Sequence, residues 1–404
     1  MLDHKFCLNL CRLWLPVAGG AILAFPSLLR AQDAVLTWHN DAARTGQNLV
    51  ETVLTPANVN SAEFGKLFTL SVDGKVDAEP LYVPSLAIPS QGTHNVLYVA
   101  TEHDSVYAFD ADTGTQLWKV SLLLNGEQTY NDSANCGQVV PEIGITSTPA
   151  IDLTSGPHGT LYAVAMSIEG SNNVHHRLHA LDLTTGGEEF GGPMLVQATF
   201  PGSGAGSSGG ISTFNPQQYK DRAALLISYG IVYISFASHC DIPPYTAWIM
   251  GYKESTLAQV SVVGLTPDGN DGSVWQAGAG PAADAGGNLY FLLANGTFDT
   301  NLTAAGFPVM GDYGNAFMNL STISGLSVQD YFTMDNTVSE SNGDVDLGSG
   351  GEMLFPTLTD SQGNPRALAV GAGKDGNGYV VDRNNMGKFH SSSNAVFQQL
   401  SLGG

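Results

Sequence analysis

The ten residues 109–118 (FDADTGTQLW) constrain the fold of this chain more than any other part of it. The pattern returns 72 residues further on, at residues 181–190 (LDLTTGGEEF). Weaker copies follow at residues 251–257 (GYKESTL) and 381–389 (VDRNNMGKF). Self-similarity at such spacings is typical of repeat proteins, in which each repeat is one small structural unit.

Each copy has the composition of a turn between two β-strands. Asp and Thr oxygens can cap a tight turn, and Gly adopts the left-handed conformation that such turns need. Trp118, Phe190 and Phe389 end the next strand, and we expect them to pack between neighbouring units. Other β-rich segments precede each copy, which predicts an all-β fold, a β-propeller of four-stranded antiparallel blades. Five units are visible, at residues 75–125, 144–200, 214–266, 273–335 and 350–400.

The charge of the chain argues against one class of partner. Its 37 acidic residues outnumber its 15 Lys and Arg residues, which gives a formal net charge of −22. Because a surface this acidic repels phosphate backbones, we expect no nucleic-acid partner.

The N-terminus has the pattern of a secretory signal peptide, which we assign to residues 1–32. Lys5 and Arg12 precede an apolar run over residues 13–29, and a plausible cleavage region follows. An uncleaved membrane anchor is the alternative, but the run is short for a span and contains Pro and Gly. We therefore expect a periplasmic or secreted protein with no membrane span after signal removal. Residues 33–74 then form a lead-in and closing strand, and residues 75–404 form the propeller.

Two cysteines remain after the leader, Cys136 and Cys240. An exported compartment permits a disulfide, so we favour a bridge between them over two free thiols.

The histidine-rich stretch around His175, His176 and His179 could suggest a metal cluster. Because side chains alternate between the two faces of a β-strand, Arg177 and His179 share one face, and we interpret this face as solvated.

The repeat resembles that of the pyrroloquinoline quinone (PQQ) propellers, the quinoprotein alcohol dehydrogenases and their non-enzymatic relatives. The segment from residue 54 to residue 81 resembles their entry segment, and the matches extend over nearly all of the mature chain. The resemblance implies a propeller of seven or eight blades, so the five visible units predict an incomplete one. Residues 64–70 would be the outer strand of a final blade, and we expect this strand to be unpaired.

The resemblance also implies a set of site residues. In the dehydrogenases of this family Glu, Asn and Asp hold calcium beside PQQ, and an Asp is the catalytic base. Glu169, Asn295 and Asp346 resemble the calcium ligands, Asp346 resembles the base, and Lys374 resembles the residue that contacts the quinone. If so, these side chains converge near the propeller axis. Polar residues also end blade strands in any propeller, which is the alternative explanation.

Two family features are missing from the sequence. No two cysteines are adjacent, so the ring that covers the cofactor in the family is absent. The Trp under the cofactor would fall at residues 278–280, and Trp275 is close but out of register. The sequence therefore predicts an exported binding or scaffolding module for an unidentified protein or small molecule. The alternative is a PQQ- and calcium-dependent alcohol or sugar dehydrogenase.

Overall fold

The structure is a computed structural model that describes residues 34–403. The signal peptide predicted for residues 1–32 lies outside the described residues. None of the helices within the described range is long and apolar enough to cross a membrane.

Four antiparallel sheets of four strands and one of five strands, one sheet for each predicted unit, form the blades of a β-propeller, which confirms the all-β prediction. Blade 1 contains β1 (Leu81–Ile88), β2 (Gly92–Ala100), β3 (Ser105–Asp110) and β4 (Gln116–Ser121). Blade 2 contains β6 (Ala150–Asp152), β7 (Thr160–Glu169), β8 (Asn173–Asp182) and β9 (Met194–Leu195), and β5 (Glu127–Thr129) adds to β7. A hairpin of β10 (Thr199–Pro201) and β11 (Ile211–Thr213) follows.

The remaining three blades have the same up-and-down order. Blade 3 contains β13 (Leu226–Ser228), β14 (Ile231–Ser235), β16 (Trp248–Lys253) and β17 (Gln259–Gly264), while β12 (Tyr219–Lys220) pairs with β15 (Ala237–Ser238). Blade 4 contains β18 (Ala282–Ala283), β19 (Leu289–Leu292), β20 (Ala316–Ser321) and β21 (Ser327–Thr333). Blade 5 contains β22 (Glu352–Leu354), β25 (Leu368–Ala372), β26 (Asn377–Asp382) and β27 (Gln398–Ser401), with a small hairpin of β23 (Leu358–Thr359) and β24 (Pro365–Arg366). One short helix, α1 (Thr337–Asn342), precedes blade 5.

The repeated motif forms the turn that its composition predicts. Asp110 Oδ1 accepts hydrogen bonds from the backbone of Asp112 (3.1 Å) and Thr113 (2.7 Å), and Gly114 has a φ of +73°. In the second copy Asp182 Oδ1 accepts from two threonine amides in the same way. The turns are therefore fixed locally, by side chains within four residues of each other.

Apolar clusters join consecutive blades, from blade 1 through blade 5. Trp118 fits the prediction, because its indole N–H donates to the Leu183 carbonyl beyond β8 (3.1 Å). Phe190 packs against the cluster between blades 2 and 3. Phe389 also packs between units, but against the preceding blade, where it contacts Phe298 with ring centroids 5.1 Å apart.

A stretch of the lead-in, residues 35–44, contacts all five blades, and we call it the hub segment. Val35 pairs with Tyr82, the backbone amides of Ile151, Ala283 and Leu354 donate to the carbonyls of Leu36, Ala42 and Ala43, and Arg44 donates to the Leu225 carbonyl beside β13. The lead-in is thus a structural part of the propeller hub, which its polar sequence did not indicate.

The predicted closing strand has no strand conformation in the structure. Residues 64–72 pair with no sheet, and the Leu67 side chain is 89% exposed. Leu70 and Val72 pack on Tyr107 and Phe109 of blade 1.

The solvated-strand interpretation of the histidine stretch is wrong. His176 and His179 are buried in blade 2. His176 Nε2 lies 3.1 Å from the carbonyl oxygens of Pro216 and Tyr219, and His179 Nδ1 lies 2.5 Å from Glu188 Oε1. Phe214 and the 3₁₀ turn at Pro216–Gln218 cover His176, and the alternation along the strand gives no sign of these contacts.

Candidate functional site

A central cavity of about 310 Å³ lies where the connections of several blades meet. Its lining comes from the connections before blades 2, 3, 4 and 5 and from loops within the last three blades. The lining residues are Gln138, Arg222, Asp241, Trp275, Ala277, Asn295, Asp344, Asp346, Ser349 and Lys374. This volume is at the lower end of the range for small-molecule pockets in proteins.

Three of the four predicted site residues meet in the central cavity. Asp346 Oδ1 accepts the backbone N–H of Asn295 at 2.8 Å, and Asp346 Oδ2 forms an ion pair with Lys374 Nζ. Lys374 also pairs with Asp344 Oδ2 at 3.2 Å, and the Asn295 amide donates to Asp344 Oδ1 at 3.3 Å. Burial lowers the pKa of Lys374, but the hydrogen bonds and charges of Asp346 and Asp344 raise it overall. Lys374 is therefore a cation held between two carboxylates.

Glu169 does not line the central cavity. It ends β7, where it faces Asn173 across a hairpin of two ten-residue strands. Its side chain is 57% exposed and accepts a hydrogen bond from Asn173 Nδ2 at 3.1 Å. The length of this hairpin carries Glu169 to an exposed tip.

Trp275 lies in the central cavity, which corrects the expectation that no ring would be present there. The next three residues, Gln276, Ala277 and Gly278, have φ angles of +42°, +47° and +91°. Left-handed conformations are unusual for the first two of these residues and are found where the surrounding structure enforces them. This turn brings the indole to the cavity wall, although the sequence places it out of register.

Buried polar groups stabilise this turn through hydrogen bonds. The Gln276 amide donates to Glu352 Oε2, and the Ala282 amide donates to Glu352 Oε1 at 3.0 Å. Glu352 is fully buried, and burial raises its pKa to about 8 although the nearby Arg44 charge opposes this shift. The charge of Arg44, in the hub segment, thus acts on the glutamate that holds the turn after Trp275.

A disulfide between Cys136 and Cys240 fixes one wall of the cavity, which confirms the predicted pairing. The two Cα atoms are 5.8 Å apart. Gln138 follows Cys136 by two residues, and Asp241 follows Cys240 directly, so the bridge joins two segments that both line the cavity.

A second, smaller cavity of about 220 Å³ adjoins the first, and we call it the side pocket. The two share Gln138, Arg222 and Ala277. The side pocket adds Lys75, Asp77, Val139, Thr146, Lys220 and Gly278. Sequence reasoning missed its cations, because none of them belongs to a recognisable motif.

Several carboxyl groups are fully buried around these cavities, namely Glu102, Asp104, Asp221 and Glu352. Burial raises the pKa of Glu102 to about 8, as it does for Glu352. Burial and neighbouring carboxylates raise the pKa of Asp104 and of Asp221 well above the usual range. These groups therefore bind protons in the folded protein at a pH where the unfolded chain has released them.

We expect the melting temperature to fall as the pH rises from about 6.5 to 8.5. Each raised carboxyl binds more protons when folded than when unfolded, so it lowers the free energy of unfolding by up to about 1.4 kcal/mol per pH unit. His176, whose pKa burial lowers to about 4, acts in the opposite direction only below about pH 6.5. Calorimetry across this interval measures the slope. Glu352→Gln should make this slope less steep, whereas the exposed Glu63→Gln should leave it unchanged. A stability that rises with pH would contradict this prediction.

The residues present fit a calcium ion poorly. Calcium takes six to eight oxygen ligands. Among residues 34–403 no group of three or more His, Cys, Asp or Glu residues is arranged to hold a metal. Asp346 and Asn295 are close together, but Lys374 lies against the Asp346 carboxylate and Glu169 is elsewhere. Lys374 thus supplies positive charge beside Asp346, one of the residues that resemble calcium ligands.

No protein-family model and no curated protein matches the sequence. A quinohemoprotein alcohol dehydrogenase from Pseudomonas putida superposes with a TM-score of 0.60 at 15% identity, over 92% of this chain and 48% of that one. The chain shares the fold of the quinoprotein dehydrogenases.

Two further solved structures have a similar fold. A quinohemoprotein alcohol dehydrogenase from Comamonas testosteroni gives a TM-score of 0.57 at 17% identity, over 91% of this chain and 49% of that one. A europium-containing methanol dehydrogenase gives 0.60 at 14% identity, over 92% and 58%. The chain spans about half the length of these proteins, and at such identities the likeness extends to the fold alone.

Proposed function

We propose that this propeller is a binding module whose central cavity takes a flat small molecule stacked on Trp275. The observation that carries the proposal is a half-buried indole in a cavity of about 310 Å³, presented by a backbone turn of three left-handed residues. Such conformations are costly and persist where the surroundings enforce them, which makes this turn a candidate functional feature.

The groups around Trp275 suit a ligand with oxygen substituents. Lys374 and the Asn295 amide can donate hydrogen bonds, while Asp344 and Asp346 can accept them. Stacking supplies contact area, and the few polar groups fix the orientation of the ligand. PQQ, a planar quinone with carboxylate substituents, fits this combination, and the shared fold makes it the first ligand to test.

The second candidate function is a PQQ-dependent dehydrogenase acting on alcohols or sugars. The observation in its favour is Asp346, a carboxylate in the same cavity as the indole. A bound quinone would supply the hydride acceptor, and Asp346 would accept the proton of the substrate hydroxyl. Because the residues fit calcium poorly, we assign no step to that ion.

Titration of the purified protein with PQQ tests the binding proposal. We expect saturable binding, and we expect Trp275→Ala to weaken it about tenfold because the stacking surface is lost. Trp38→Phe, in the hub segment and outside the cavity, is the matched control. Unchanged PQQ affinity in Trp275→Ala would contradict the proposal.

Dye reduction separates the two functions. Protein incubated with PQQ and calcium is assayed with alcohols and aldoses, in parallel with Asp346→Asn. Reduction that disappears in Asp346→Asn supports the dehydrogenase. PQQ binding without reduction supports the binding module.

A further inference from the structure

The strongest unassigned feature of the two cavities is Arg222. Its guanidinium lies 5.3 Å from the centre of the Trp275 ring and lines both the central cavity and the side pocket. Burial lowers its pKa, yet an arginine remains charged at any physiological pH. A half-buried cation therefore faces the space in which the proposed ligand would stack.

Arg222 differs from the other arginines of the described chain in having no hydrogen-bond partner. Arg44 donates to backbone carbonyls, Arg177 pairs with a glutamate, and Arg366 and Arg383 pair with aspartates. Among the described residues Arg222 lies against the indole face, and the nearby carboxylate of Asp77 acts on it through its charge without a hydrogen bond. Partly buried arginines normally use their five N–H groups, so this one has donors available for a ligand.

The acidic residues of the same cavities are already engaged. Asp77 pairs with Lys75 at 2.9 Å, and Asp344 and Asp346 pair with Lys374. Asp241 accepts the hydroxyl of Tyr245. A second cation, Lys220, is buried beside Arg222 and donates to Gln138 Oε1 at 3.2 Å. Among the side chains that line the two cavities, Arg222 is thus the charged group without a hydrogen-bond partner, although the whole chain is strongly acidic.

We propose that Arg222 is an anion-binding residue that selects a ligand bearing a carboxylate. Contact with Trp275 leaves the edge N–H groups of the guanidinium free, and such a planar fork matches a carboxylate with two parallel hydrogen bonds. The carboxylate would lie at the junction of the central cavity and the side pocket. This inference concerns the same cavity as the proposed function, and it names the charge of the ligand.

The test uses malonate, which has no ring and so cannot stack on Trp275. The purified protein is titrated with malonate and with malonamide, its neutral analogue, and indole fluorescence is compared with that of Trp275→Phe to isolate the Trp275 signal. We expect a saturable change with malonate and at least about tenfold weaker binding of malonamide. Arg222→Met keeps an aliphatic stem beside the indole and should weaken malonate binding by a similar factor. Arg366→Met, at a distant exposed hairpin, should not.

Three results would overturn the inference: no malonate binding, equal affinity for malonamide, or unchanged affinity in Arg222→Met. Inorganic phosphate that binds more tightly than malonate would overturn the assignment to a carboxylate. Arg222→Lys, which keeps the charge but loses the fork, provides a second variant if Arg222→Met does not fold. Malonate binding without PQQ binding would refute only the proposed function, whereas PQQ binding with malonate affinity unaffected by Arg222→Met would refute only this inference.

Discussion

Replacing Arg44 by methionine is expected to lower the free energy of unfolding by about 3–5 kcal/mol. The guanidinium is 1% exposed and lies at the centre of the hub. It donates to the carbonyls of Gly280 (3.2 Å), Pro281 (3.0 Å), Leu225 (3.0 Å) and Trp38 (3.0 Å) and to the hydroxyl of Thr37 (2.7 Å). Methionine fills part of the volume but leaves these acceptors buried without a donor. Each buried acceptor without a partner then costs its full desolvation free energy.

Equilibrium urea unfolding measures this loss. Arg366→Met is the matched control, because Arg366 pairs with Asp360 at an exposed hairpin and such pairs contribute at most about 1 kcal/mol. An Arg44→Met protein with the stability of the wild type would show that the hub segment is dispensable. Because the Arg44 charge acts on Glu352, which holds Gln276, the same variant should also weaken the binding of any ligand that stacks on Trp275.

Removing the Cys136–Cys240 bridge is expected to lower the free energy of unfolding by about 2–5 kcal/mol. The bridge joins residues 104 positions apart, so it strongly restricts the unfolded chain. Loop closure of about 100 residues contributes about 4.7 kcal/mol in the chain-entropy model. The bridge also fixes Gln138 and Asp241 at the cavity wall, so its loss should reduce ligand affinity together with stability.

The measurement compares unfolding of the wild type and of the Cys136→Ser/Cys240→Ser double variant, each with and without reductant. Reductant should destabilise the wild type and leave the double variant unchanged. If the double variant unfolds at the same urea concentration as the oxidised wild type, the bridge contributes nothing to stability.

Local chemistry explains why the blades could be predicted from the sequence. The Asp110 turn depends on hydrogen bonds to Asp112 and Thr113, all within a few residues. The positions of strand ends account for the predicted residues that lie together in the central cavity. Asn295 and Lys374 follow the second strands of blades 4 and 5, and second strands of neighbouring blades end close together at the hub.

Long-range contacts explain where sequence reasoning failed. Glu169 also stands at the end of a second strand, but β7 is ten residues long and carries it beyond the cavity. Trp275 enters the cavity only because Gln276 is held by Glu352, which is 76 residues away in the chain. No local pattern around Gln276 specifies that contact or the left-handed turn that accompanies it.

The sequence by itself determined the repeat, the blade turns and the cysteine pair, because these depend on composition and on neighbours in the chain. Only the tertiary structure placed the hub segment across all five blades, brought the indole of Trp275 beneath Arg222, and set Lys374 between Asp344 and Asp346. Each of these features joins groups that are far apart in the chain. Their positions therefore depend on how the blades pack around one axis, which no single segment of the chain encodes.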